Sequence, residues 1–146
     1  MNNDLVIKKE RIIKADTKTV WSILTETTSN WNGISIETKS EWKPNSEIIF
    51  SFVWDGTPYS DKGKIIDFEP ERIFSHTYWS AFSGLPDNEE NYSKIHYELF
   101  PTDTGTILKL THTNFATETM YEHSDKNWES TLDNIKQKCE EKTTNS

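Results

Sequence analysis

Apolar positions in this chain change rhythm once. Up to about residue 114 they alternate with polar ones over short stretches, and beyond it they recur every three or four residues. Alternation over 5–13, 34–40, 47–54, 60–68, 72–79, 92–100 and 106–114 predicts seven β-strands. From about Thr117 to Lys142, Tyr121, Trp128, Leu132, Ile135 and Cys139 lie on one face of a helical period. The opposite face carries Glu122, Asp125, Lys126, Glu129, Asp133, Lys136 and Lys138. Between the first two strands, Asp16 or Thr17 caps a short helix bearing Val20, Trp21, Ile23 and Leu24. That helix is expected to continue by a turn or two toward Trp31, until Asn32-Gly33 breaks it.

The order is a strand, one or two short helices, six strands and a long helix. No βαβ alternation appears, which argues for an antiparallel sheet and an α+β class. A helix of about 26 residues spans roughly 39 Å. Seven strands at about 4.8 Å make a sheet roughly 30 Å wide, so the helix can cross its concave face. One domain is expected over residues 1–146.

Composition changes this picture in two ways. Only 33% of residues are hydrophobic, yet six Trp, five Tyr and seven Phe are present. With only three valines, the chain has few small side chains to fill gaps between rigid rings, which favours a lined cavity. The net charge of −8 is dispersed, and the two arginines, Arg11 and Arg72, form no basic stripe. Nucleic acid and anionic membrane surfaces are therefore poor partners. A single cysteine excludes an internal disulfide. Neither a signal pattern nor a membrane-length apolar run is present, so the expected location is cytoplasmic.

The stretch Ile12-Ile13-Lys14-Ala15-Asp16-Thr17-Lys18-Thr19-Val20-Trp21-Ser22-Ile23-Leu24-Thr25 resembles the opening of the SRPBCC (START-like) superfamily. The closest branch is the homologues of the C-terminal domain of the heat-shock protein 90 ATPase activator, the AHSA-like proteins. Trp31, Gly63 to Ile73, Leu108 to Phe115 and Trp128 agree in order, so the resemblance covers nearly the whole chain. It implies a helix-grip fold: a curved antiparallel sheet wrapped around the C-terminal helix, with an apolar cavity between them. Members of the superfamily bind hydrophobic small molecules, some are cyclases or other enzymes, and one branch stimulates the chaperone's ATPase. The position before Trp128 is commonly Gly in this branch and is Asn127 here. The 81–91 loop matches no family motif.

Candidate ligand-binding residues are Trp21, Trp31, Phe50, Phe52, Trp54, Tyr78, Phe82, Tyr97, His112 and Trp128. Aromatic walls suit flat apolar ligands, and Tyr78, Tyr97 or His112 would orient a polar end. Phe82 and Leu85 in the 81–91 loop could cap a cavity mouth. Each has a plainer reading as core, or as a histidine satisfied by its neighbours, and the same holds for His76. Asp67 and Glu98 as general bases read more simply as surface acids. No metal-ligand spacing, nucleophile elbow or phosphate-cradling glycine run is present, so no metal, cofactor or catalytic residue is assigned. The expected function is binding of a small hydrophobic molecule. A co-chaperone-like interaction domain and a cyclase- or hydrolase-like enzyme are the alternatives, and an enzymatic role is the less favoured.

Overall fold

A computed structural model of the protein describes residues 5–31, 34–81 and 83–144. Eight antiparallel strands form one curved, unclosed sheet in the order β1-β8-β7-β6-β5-β4-β3-β2. They are β1 (Ile7–Ile13), β2 (Thr28–Trp31), β3 (Ile34–Ser40), β4 (Glu47–Trp54), β5 (Thr57–Glu69), β6 (Ile73–Tyr78), β7 (Ser93–Thr102) and β8 (Gly105–Thr113). Helix α1 (Thr17–Leu24) connects the two margins of the sheet, and α2 (Glu118–Thr144) follows β8. The architecture is the α+β helix-grip fold.

Local chemistry accounts for the boundaries. Asp16 Oδ1 accepts the Thr19 amide at 2.8 Å and starts α1. This hydrogen bond also lowers the Asp16 pKa. Thr117 Oγ1 accepts the Met120 amide at 3.1 Å and does the same for α2. Asp55 and Gly56 have φ of 51° and 77°, the left-handed pair of a type I′ hairpin, and Trp54 pairs with Thr57 across them. The turn is thus two residues long, and Pro58 lies inside β5 rather than in the connection. A single-turn 3₁₀ helix, Glu89–Asn91, interrupts the segment before β7.

Residues 28–31 differ from the sequence expectation. They form β2, paired with β3 from Thr28↔Glu37 to Trp31↔Ile34, and do not extend α1. Thr25 ends the helix, its amide and hydroxyl both bonding the Trp21 carbonyl. The sheet therefore has eight strands, not seven.

Curvature is introduced in β5. Its pairing with β6 shifts register between Ile65 and Asp67, as at a β-bulge. At Gly63 an added Cβ would stand 1.7 Å from the Thr77 carbonyl oxygen, so only glycine permits this close approach.

The main core lies between α2, α1 and strands β1, β8 and β7. Trp128, Leu132, Ile135 and Cys139 of α2 meet Ile7, Ile13, Leu108, Leu110 and Val20 there. Burial raises the Cys139 thiol to a pKa of about 12, so it is a small core residue. A smaller cluster, Ile48, Ile65 and Phe74, lies under β4–β6, and Trp21 and Tyr97 touch both. Helix α2 packs over the β1–β8–β7 end of the sheet, with β1 and α1 nearest to it. Along that seam Lys9 pairs with Asp125 at 3.1 Å, and Arg11 pairs with Glu129 at 2.5 Å and Asp133 at 2.9 Å. No helix among the described residues is long and apolar enough to cross a membrane.

Candidate functional site

A helix about 10 Å across cannot cover eight strands spaced by about 4.8 Å. Because α2 leans on β1, the sheet's middle strands rise beyond it and leave a pocket of about 380 Å³. The sheet side of the pocket is aromatic: Phe50 and Phe52 of β4, Phe74 and Tyr78 of β6, and Tyr97 of β7. The rings of Phe74 and Tyr97 stack at 5.9 Å, and Phe50 meets Tyr78 edge-on at 6.1 Å. Helix α2 presents a different surface. Ser124, Asn127, Thr131 and Asn134, at helical spacing, form an uncharged polar row beside Trp128 and Ile135.

A chain of hydrogen bonds fixes the polar floor. The indole Nε1–H of Trp128 donates to His112 Nδ1 at 2.9 Å. Indole is only a donor, so Nδ1 accepts and the proton of neutral His112 sits on Nε2. Nε2–H then donates to Ser93 Oγ at 2.7 Å, and Ser93 donates to the Tyr78 carbonyl at 3.3 Å. A serine at hydrogen-bond distance from a histidine suggests a nucleophile and its base, but the polarity here is reversed: the proton needed for base function already occupies the nitrogen facing the hydroxyl. Burial drives the His112 pKa down to about 3, with His76 adding to the effect.

His76 is equally enclosed, at 3% exposure. Its Nδ1–H donates to the Thr77 carbonyl at 2.7 Å, leaving Nε2 as a bare acceptor on the pocket wall. Burial lowers its pKa to about 4, so both histidines are neutral at pH 7. The Tyr78 hydroxyl donates to Asp61 Oδ2 at 2.5 Å, and Asp61 Oδ1 accepts the Ala81 amide at 2.8 Å. Burial raises the Asp61 carboxyl above its ordinary pKa against these bonds. Burial also raises the Tyr97 phenol, whose hydroxyl bonds no described residue.

Of the residues singled out from the sequence, Phe50, Phe52, Tyr78, Tyr97, His112 and Trp128 lie on this wall. Trp21 instead packs edge-on against Phe68 at 5.2 Å and Phe74 at 6.2 Å, joining the two core clusters. Trp54 ends β4 with 51% exposure and does not line the pocket, because the β4–β5 tip projects past it. The side chain of Trp31, and Phe82 altogether, lie outside the described residues. In the 81–91 loop, the Leu85 carbonyl accepts the Trp79 indole proton at 3.2 Å, and Asp87 pairs with Lys62 and with the Tyr92 hydroxyl.

Sequence reasoning missed Phe74, Asp61, Glu26 and the polar row on α2. The row had a signal, since Ser124, Asn127, Thr131 and Asn134 recur at three, four and three residues. Glu26, in a polar run after α1, had none. Among the described residues no group of His, Cys, Asp and Glu is arranged to hold a metal ion.

The fold is shared with solved structures. The solution structure of ChR145 from Cytophaga hutchinsonii is 29% identical, with a TM-score of 0.79 and 99% of each chain covered. Protein NE0264 from Nitrosomonas europaea is 16% identical over 99% of each chain, with a TM-score of 0.74. The Aha1 dimer from Colwellia psychrerythraea is 19% identical, covering 92% of this chain and 96% of that one, with a TM-score of 0.68. Among curated proteins none matches. The family model described as "Activator of Hsp90 ATPase homolog 1-like protein" matches residues 14–140, and the chain belongs to that AHSA-like branch of the SRPBCC proteins.

Proposed function

We propose that this protein binds a small, mostly apolar molecule between α2 and the middle of its sheet. The observation that carries the reading is the two-sided pocket, with aromatic rings from β4, β6 and β7 facing an uncharged polar row on α2. A flat ligand would bury its faces against the rings, at roughly 25 cal/mol per Å² before ordering costs, and turn a polar edge to the helix. Native mass spectrometry of the protein purified from its own host tests this directly. A co-purifying mass, together with quenching of Trp fluorescence by flavonoid or sterol ligands, is the expected result. A clean apo mass and no response to any ligand of such a panel would sink it.

A second reading has its own support. The family is described by its activation of the Hsp90 ATPase, and the β4–β5 tip exposes Val53 and Trp54 to solvent at 59% and 51%. In this reading the tip docks on a chaperone. A pull-down without the chaperone, and an unchanged ATPase rate, would remove it. A hydrolytic role for Ser93 and His112 gains no support, since the Trp128 indole holds the histidine in the unsuitable tautomer.

A further inference from the structure

Resting on the binding reading, we propose that Glu26 is the polar anchor of the pocket and selects an amine over a carboxylate on the same apolar skeleton. Glu26 follows α1 and lines the pocket beside Ile23, Leu24 and Asn134. Its Oε2 is buried and has no hydrogen-bond partner among the described residues. A buried carboxyl oxygen without a donor is costly, and a turn of the Glu26 side chain that brings it to a ligand N–H removes that cost. The second acid of the wall, Asp61, already accepts from Tyr78 and Ala81. His76 Nε2, on the same wall, is likewise an acceptor. Among the described residues no Lys or Arg lines the pocket, and neutral histidines supply no countercharge. Lys138 and Lys142 lie close enough to Cys139 to influence it, as Glu26 does, but neither bonds Glu26 Oε2. An entering carboxylate would thus lose its hydration in a pocket lined by two acids and, among the described residues, by no Lys or Arg to receive it. An ammonium or amine N–H instead completes a charge-assisted hydrogen bond.

The test uses three probes with one ring system: 2-naphthylmethylamine, 2-naphthylmethanol and 2-naphthoic acid, titrated calorimetrically into the full chain. The amine should bind more tightly than the acid by about tenfold to a hundredfold, with the alcohol between. Glu26→Gln should bring amine and acid within about threefold of each other while leaving the alcohol unchanged. General attraction of cations to a chain of charge −8 is controlled by Glu122→Gln, an exposed α2 position, which should preserve the wild-type order. An acid that binds wild-type protein as tightly as the amine overturns the anchor and leaves the pocket reading standing. Equal loss of selectivity in both variants overturns it in the same way. If none of the three binds, the pocket reading falls and the anchor falls with it.

Discussion

The two sides of the sheet solve different problems with the same strands. Under β1, β8 and β7, aliphatic side chains from strands and helices interdigitate, and Leu132, Leu108 and Ile13 reach 0% exposure. Under β4 to β6 the side chains are mostly rings, and Phe50, Phe52 and Tyr78 stay partly accessible where they border the pocket. Aliphatic chains adapt to fill space, whereas flat rigid rings touch at edges and leave gaps. Stability therefore belongs mainly to one side, and room for a guest to the other.

The sharpest way to break this contrast is truncation. Leu132→Ala should cost about 2–5 kcal/mol in denaturant unfolding, as expected for a fully enclosed leucine. If it cost under about 1 kcal/mol, the helix side would not be the tight one. Acid comes next. His76 and His112 have folded pKa values of about 4 and about 3, below the ordinary 6.5. Between pH 6.5 and those values the unfolded chain binds protons that the folded chain excludes, so stability is complete above 6.5 and falls as pH falls. The loss by pH 4 should be on the order of a few kcal/mol. The hydrogen-bonded carboxyls of Asp16, Glu129 and Glu140 have lowered pKa values, and their contribution begins to be lost only near their ordinary values, about two units lower. A denaturation midpoint flat from pH 7 to 5 would contradict neutral buried histidines. Phe52→Ala, on the open side, should cost only about 1 kcal/mol, because one face of the ring already borders the pocket. A cost equal to that of Leu132→Ala would erase the distinction. Smallest of all, Arg11→Ala should change stability by about 1 kcal/mol or less, given its exposed partners Glu129 and Asp133. Thermal melts in low and high salt would register it.

How much of this was readable from residues alone follows the same division. The stripe of Trp128, Leu132, Ile135 and Cys139 announced the packed side, because a buried helix face must repeat every 3.6 residues. Most strands were equally plain from alternation. β2 was not, since Thr28-Ser29-Asn30-Trp31 is too short for period to speak, although Asn32-Gly33 ahead of Ile34 is a strong hairpin signal. On the open side, ring content suggested a cavity, but which rings line it depends on three-dimensional placement. Trp21 and Trp54 have the same chemistry as Trp128, yet one joins two cores and the other ends at a hairpin tip. The tautomer of His112 needed the indole of a residue sixteen positions away.

The α2–β1 seam has a consequence for the protein in crowded solution. Lys136 Nζ donates to the Ile12 carbonyl at 3.0 Å, and Glu140 accepts the Lys14 amide at 3.0 Å. Two of the backbone groups that an incoming strand would seek at this margin are thus already taken, and the opposite margin, β2, is only four residues long. An open sheet built this way offers little template for edge-to-edge aggregation, so the gap that could admit a guest need not invite self-assembly.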